Sequence, residues 1–519
     1  MLKVVCVVEK DKTAIDRLSQ GMKRYNSNIE FVVLRVHPKR PDPQQLADFE
    51  REAIDADIID WQYFRTAEML RSRYDWLKDK KQVLTHHNPY SITESDWNDY
   101  DVVVANNVTI RDALKQITTS QISYIPNCVD SDFWLYNFDW QPNNNVMMVA
   151  NRIEGKKGIL PIAEACKDLN LNFHLVGSIS DMDYFHKIAA TGATFHQEIS
   201  DEELRQLYYD STLHVCNSVD NFESGTLPML EAMFCGTPVL TRLIGHVPEL
   251  QNGENMVIYN GDNENVTALK EVISETLSDK KGLEKMRDKA WQTVKSRNYE
   301  RRAYSYQKLY RELMNDETPV TVVLSIYDRP ETAKLALSAI ADQTYKNIEV
   351  IVVDDKGTNE DLVKTFGNYV SFPVRYINNA NDDYGLARAR NIATIEATGE
   401  IMIYCDERMV MASNAIEIFV ANMKPQYWLY GNKNGKKEFV ENFSAALRDD
   451  VINCGMFCER MDEYGGLSQE LRTRLNHQGI QTQYVEGAKA TPTGKSSNRY
   501  RKRASIIRMK NRLAKMFEL

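Results

Sequence analysis

At 519 residues the chain is too long for one ordinary core and calls for about three compact units. A hydrophobic content of 43% with 10% aromatics excludes a disordered chain, and a net charge of −9 argues against a surface that coats nucleic acid along its whole length. Eight cysteines without a CxxC pair, the closest being Cys454 and Cys458, fit reduced thiols of a cytoplasmic protein better than disulfides or a zinc site. The opening LKVVCVV is a short apolar run broken by Glu9, which predicts a buried strand and not a signal peptide. No window approaches the roughly 20 apolar residues that span a bilayer, so a protein that is soluble or held at a membrane surface is expected. Over the first 300 residues β-branched runs alternate with helical patterns: IEFVVLRV, DIIDW, KQVLTHH, DVVVAN, then VMMVAN, FHLVG, LHVCNS and PVLTR. That alternation predicts parallel sheets with crossover helices, and the polar break DWQPNNN at 139–145 divides it into two Rossmann-like domains facing a cleft. Residues 298–315 predict a long amphipathic helix. From Pro319 the strand-helix pattern restarts with TVVLSIYDRP, IEVIVVDD, VRYINN and EIMIYCD, while the Gly and Asn content of 431–490 reads as loops. The expected organisation is 1–140, 141–297, a crossover helix and linker at 298–318, a further α/β domain at 319–490, and a tail at 491–519.

Residues 223–231 read Glu-Ser-Gly-Thr-Leu-Pro-Met-Leu-Glu, two carboxylates flanking a turn that opens a helix. A helix N-terminus offers free N–H groups and a positive dipole end, a ready place for a diphosphate. Glu223 and Glu231 could then hold hydroxyls at the two ends of a ligand built as sugar, diphosphate and ribose. Asn-Arg-Ile-Glu-Gly-Lys-Lys-Gly at 151–158 also follows a strand and opens a helix, which puts Arg152 and Lys157 where they would neutralise a diphosphate. Val176-Gly177 ends a strand, and ISDEELRQLYYDSTLHVCNS and CGTPVLTRLIGHVPELQNGEN flank the carboxylate pair.

Together these stretches resemble the donor half of the family 4 glycosyltransferases, strongly over 144–262 and more weakly over 1–140. The resemblance implies a two-domain GT-B fold, transfer from a nucleotide sugar with retention of configuration, and no metal or other cofactor for this unit. It implies catalytic roles for Glu223, Arg152 and Lys157, and for His87 at the end of VLTHHNPY, with His86 as the neighbouring candidate. Gly177, Ser224, Gly225, Thr226, Leu227 and Glu231 are the implied donor-binding positions. Ile125 to Asp130 resembles the interdomain signature, with Cys128 where glycine is usual. The early glycines of the family are missing, since 8–13 read Val-Glu-Lys-Asp-Lys-Thr. The donor half is therefore intact and the acceptor half divergent.

The stretch from 319 resembles the family 2 glycosyltransferases, a single nucleotide-binding sheet of the GT-A kind. The resemblance implies donor contacts from Tyr327, from Asp354 or Asp355, from Arg390 and from Asp406, with Thr398-Gly399-Glu400 preceding the metal strand. A divalent ion bridging two phosphates wants hard carboxylates, usually as Asp-x-Asp. Here the run is Asp406-Glu407-Arg408, so Asp406 is the metal candidate, for Mn or Mg, and Arg408 could replace the metal's charge. The acidic run of the family's general base reads Gly465-Gly466-Leu467-Ser468-Gln469-Glu470, and a serine cannot act as a base at neutral pH. Two readings stand: a degenerate module that binds acceptor or partner, or an active transferase using Asp406, Glu407 and Glu470.

The tail, 491–519, carries nine Lys or Arg against one acid. Ile506, Met509, Leu513 and Phe517 share one helical face, a pattern open to packing, to an anionic membrane surface or to nucleic acid. The expected function is a tandem glycosyltransferase of polysaccharide or glycoconjugate synthesis, cytoplasmic or peripheral at the inner membrane face, with a glycan, lipid-linked or other acceptor. The alternatives are a viral enzyme that glycosylates modified bases in DNA, and a second unit that only binds.

Overall fold

The structure is a computed structural model that describes residues 2–26, 29–87, 91–220, 223, 226–380, 385–460 and 466–493. The chain divides into two compact units between Leu313 and Met314.

The first unit contains two parallel sheets. The strands of the first are β1 (Lys3–Val8), β2 (Glu30–Arg35), β3 (Ile58–Trp61), β4 (Lys81–His86), β5 (Val102–Ala105) and β6 (Gln121–Tyr124), in the order β2-β1-β3-β4-β5-β6. Val5, Val7, Ile59, Leu84 and Val103 point from these strands into a core closed by Phe49, Trp61 and Trp97. Strands buried on both faces are what continuous β-branched runs encode in a parallel sheet. The second sheet is built from β7 (Asn145–Ile153), β8 (Asn172–Ile179), β9 (Thr194–His196), β10 (Leu213–Cys216), β11 (Val239–Thr241) and β12 (Val257–Ile258). Its order, β12-β11-β10-β7-β8-β9, reverses direction of travel between β7 and β10. The carboxyl ends of those two strands therefore flank a topological switch point, where open α/β sheets bind their ligands.

The helix Tyr299–Met314 returns to the first sheet. Tyr306 Oη lies 2.6 Å from Thr85 Oγ1, Tyr310 Oη donates to Asp60 Oδ2 at 2.7 Å, and Gln307 Nε2 donates to Asn26 Oδ1 at 2.7 Å. Arg302, 2% exposed, donates to the Pro126 carbonyl at 2.7 Å. At the loop after β1, where the early glycines are absent, Lys12 takes the left-handed conformation itself at φ 56°. Thr13 caps the following helix through Oγ1, and Asp16 Oδ2 accepts from the Lys12 N–H at 3.0 Å.

The second unit holds one mixed sheet of β13 (Val320–Ile326), β14 (Ile348–Asp354), β15 (Val374–Asn378), β16 (Ile401–Asp406), β17 (Met409–Met411), β18 (Tyr427–Lys433), β19 (Phe443–Leu447) and β20 (Gln481–Pro492). The order is β15-β14-β13-β16-β19-β18-β20-β17, with its own switch point between β13 and β16. Here the structure corrects the reading of 431–490 as loops. The region contributes the end of β18, all of β19, most of β20 and the helices Arg448–Asn453 and Leu467–His477. Gly431 misled because it sits inside a strand: a Cβ there would lie 2.2 Å from the Phe443 ring, so the aromatic takes the space of the missing side chain.

Candidate functional site

In the first unit the two loops that leave the switch point are tied together. Asn217, just past β10, donates through Nδ2 to the Gly158 carbonyl at 2.9 Å and to the Asn263 carbonyl at 2.8 Å. The Val219 N–H donates to the Lys156 carbonyl at 2.9 Å. This clamp brings Lys157, in the turn after β7, onto Glu223, in the loop after β10: Lys157 Nζ donates to Glu223 Oε1, which also accepts from Ser218 Oγ at 2.8 Å. Both side chains are mostly buried, at 14% and 15% exposure. Two of the four residues assigned a catalytic role from the sequence thus form one ion pair at the expected end of the sheet.

Arg152 lies on β7 beside a register shift and is 64% exposed, with Glu154 Oε1 at 3.7 Å. Nothing places it on Glu223 or Lys157. Gly177 lies on β8, where a Cβ would stand 1.9 Å from the Ala150 carbonyl oxygen, so only glycine lets the two strands meet there. Ser224 and Gly225 fall outside the described residues. Thr226 and Leu227 open the helix Leu227–Cys235, where Thr226 makes no side-chain cap.

That helix is apolar on all sides, with Met229, Leu230, Ala232, Met233, Phe234 and Cys235 buried. Glu231 is drawn in with them at 7% exposure, its Oε2 accepting from Tyr208 Oη at 3.1 Å. Burial pushes its carboxyl up to about 7, against the opposing pull of the tyrosine bond. On the first sheet, the side chains of the two adjacent histidines part ways. His86 packs edge-on against Trp97, ring centroids 4.6 Å apart, in the core. His87 lies at the strand end, with Nε2 3.1 Å from Gln62 Oε1 and Nδ1 3.4 Å from Asn106 Nδ2. Burial and the nearby Arg302 charge hold its imidazole well below the ordinary range, hence neutral.

The two sheets of this unit also meet through Glu249. Its Oε2 accepts from the Val108 N–H at 2.8 Å, and its Oε1 pairs with Arg297 at 2.8 Å and His246 at 2.9 Å. Burial alone would raise this carboxyl, but His246 and Arg297 outweigh it and hold it at about 2.

In the second unit Tyr327 follows β13, 58% exposed, and its N–H donates to Glu407 Oε2 at 2.9 Å. Asp354 is fully buried and committed to its own turn: it accepts from the N–H groups of Lys356 and Asn359 and from Asn359 Nδ2 and Tyr376 Oη, at 2.8–3.1 Å. Asp355, half-buried and bonded to Asn379 Nδ2 at 2.5 Å, is the better placed of the two to meet a base; burial raises its carboxyl.

Arg390 is fully buried between two carboxylates, 2.9 Å from Asp406 Oδ1 and 2.8 Å from Glu441 Oε1. Ser468 Oγ donates to Glu441 Oε2, and Lys433 Nζ donates to Asn442 Oδ1 at 2.8 Å. Glu441 and Lys433 were missed from the sequence because both lie in the stretch taken for loops; the alternation in YWLYGNK and FSAAL was the available signal. The residues present do not fit a divalent metal. Asp406 is engaged by Arg390, and Glu407 receives the Tyr327 N–H and faces Arg329 at 3.7 Å. Among the described residues no three His, Cys, Asp or Glu side chains are grouped to hold an ion. Residues 381–384, residues 461–465 and the basic tail from 494 lie outside the described residues, and no described helix is long and apolar enough to cross a membrane.

Residues 131–293 match the family described as Glycosyl transferases group 1, and residues 321–431 match Glycosyl transferase family 2. Among curated relatives, an uncharacterized glycosyltransferase of Rickettsia conorii is 25% identical over 142 residues, 26% of this chain and 23% of its own. The UDP-Glc:alpha-D-GlcNAc-diphosphoundecaprenol beta-1,3-glucosyltransferase WfgD of Escherichia coli is 24% identical over 153 residues, 28% of this chain and 59% of its own. The chain thus spans only part of the length of these relatives. Sucrose-phosphate synthase of Thermosynechococcus elongatus shares the fold, with a TM-score of 0.50 and 16% identity over 61% of this chain and 100% of that one. The chain is a tandem of glycosyltransferase-family units, one of the group 1, GT-B kind followed by one of family 2 and the GT-A kind.

Proposed function

We propose that the first unit transfers a sugar from a nucleotide-diphosphate donor to a hydroxyl of a glycan or lipid-linked acceptor. The observation that carries this reading is the Lys157–Glu223 pair across the β7/β10 switch point. A diphosphate at the N-terminus of the helix Leu227–Cys235 would meet the Lys157 ammonium and the positive end of the helix dipole. As the bond from the anomeric carbon to the diphosphate oxygen breaks, its electron pair moves onto the diphosphate, where Lys157 stabilises the growing charge. The acceptor oxygen bonds to the anomeric carbon and passes its proton to the departing diphosphate oxygen. Glu223, released from Lys157 by the competing phosphate, then accepts from sugar hydroxyls, and Glu231 from the ribose. Arg152, at the solvent edge, would swing onto the diphosphate. Neutral His87 can accept or donate one hydrogen bond to the sugar.

The WfgD name couples UDP-Glc to a diphosphoundecaprenol acceptor, which supports nucleotide sugars and lipid-linked glycans as the class to test. Hydrolysis of a panel of nucleotide sugars by the purified protein, in the presence of EDTA, reads the donor directly. Lys157→Ala and Glu223→Ala should each slow it on the order of 10²–10³-fold while the chain still folds. Near-normal turnover in either variant with every donor would refute the assignment.

A further inference from the structure

The disagreement between the second unit and a divalent metal has a constructive side. β16 pairs with β19 and β19 with β18, all antiparallel at this edge, so the end of β16, the lead-in to β19 and the end of β18 converge. They deliver Asp406, Glu441 and Lys433 to one place, with Arg390 reaching in from the helix Leu386–Glu396. The charges balance: two carboxylates, Asp406 and Glu441, against one guanidinium and one ammonium. A pair of carboxylates loaded with a divalent ion has the same sum. In a metal site the ion contributes two positive charges that the carboxylates fix in position; here two side chains contribute them, and the same carboxylates fix the side chains.

The two cations differ in what they can still do. Arg390 is fully buried, held on both sides by carboxylates, and positions Asp406 and Glu441. Lys433 has three donors on a compact ammonium and has Asn442 Oδ1 at 2.8 Å and the Val440 carbonyl at a long 3.5 Å. It keeps donor capacity for a phosphate oxygen, and its nearest carboxylates belong to Arg390. Tyr327, exposed at the end of β13, and Asp355 at the end of β14 stand on the same carboxyl edge of the sheet, where a nucleotide base would lie.

We infer that the second unit binds a nucleoside diphosphate without a divalent ion, with Lys433 as the cation on the diphosphate and Arg390 as the fixed counter-charge that positions Asp406 and Glu441. This rests on reading the unit as nucleotide-binding, as its family match implies. Arg408, the cation that the sequence put in the metal's place, is not part of the cluster.

Calorimetric titration of the full chain with UDP, GDP and dTDP in turn tests it, once in EDTA and once in manganese. Two equivalents of one nucleotide are expected in EDTA, one for each unit. Lys433→Met should weaken one of the two on the order of 10-fold to 100-fold, the range of a lost charge-assisted hydrogen bond, while Lys433→Arg keeps both. A second equivalent that appears only with manganese overturns the inference and leaves the nucleotide-binding reading standing. Two unweakened equivalents in Lys433→Met also overturn it. One equivalent under both conditions with every nucleotide removes both the inference and the reading beneath it. The EDTA arm on the unaltered chain holds whether or not the Met variant folds.

Discussion

Glu231 shows how burial sets the state of a single side chain at this site. Packed in an apolar helix and raised to about 7, it binds a proton more readily in the folded chain than in the unfolded one. The sign follows: stability drawn from this group is fully present below the unfolded value near 4.5 and is lost as pH rises through about 7. Glu231→Gln removes the cost of ionisation and keeps a partner for Tyr208. It should raise the first thermal transition at pH 8, by up to about 3 kcal/mol of stability, and change little at pH 5. Donor binding at pH 8 should weaken in the same variant, because the amide is a poorer acceptor than a carboxylate for ribose hydroxyls. Scanning fluorimetry at the two pH values checks the first part; an equal shift at both would show that the buried charge is not the cause.

The helix Tyr299–Met314 is the element that links distant parts of the first unit. Tyr310 donates to Asp60, Gln62 Nε2 donates to the same carboxylate at 2.9 Å, and Gln62 Oε1 meets His87. A buried polar chain thus runs from this helix to the candidate histidine. Asp60 sits at about 6, raised by burial and held from rising further by Tyr310 and Gln62. Tyr310→Phe deprives a buried carboxylate of a donor, which costs roughly 1–3 kcal/mol. The loss should be largest above pH 7, where Asp60 is charged, and should shrink below about 6 as it protonates; thermal melts across that range measure it. The helix itself was legible from its amphipathic spacing, as were the parallel strands from their β-branched runs. Lys157 and Glu223 were legible because each stands one short loop beyond a recognisable strand. The Lys433–Glu441 cluster was not, because it exists only through pairing between strands whose sequence is diluted by Gly431, Asn432 and Asn434. Nor could spacing tell His86 from His87: adjacent strand residues face opposite sides, and only the Trp97 contact shows which side is core.

At the scale of the whole molecule, the boundary at Leu313/Met314 leaves the returning helix with the first unit. The sequence break at 297 suggests a different cut, before that helix, and the two can be told apart. Tyr299, Ala303, Tyr306, Leu309 and Tyr310 are buried along the helix. Each large side chain among them contributes about 1.5–3 kcal/mol of burial, so their sum approaches the roughly 5–15 kcal/mol that holds a domain folded. Removing the helix also takes one hydrogen-bond donor each from Asp60, Asn26 and the Pro126 carbonyl. A fragment of residues 1–316 should therefore melt cooperatively, within a few degrees of the first transition of the full chain, and keep nucleotide-sugar hydrolysis in EDTA. A fragment of residues 1–298 should lose both. Equal melting of the two fragments would mean that the second sheet stabilises the first without its returning helix, and that the Tyr310–Asp60–Gln62–His87 chain does not hold the cleft edge in place.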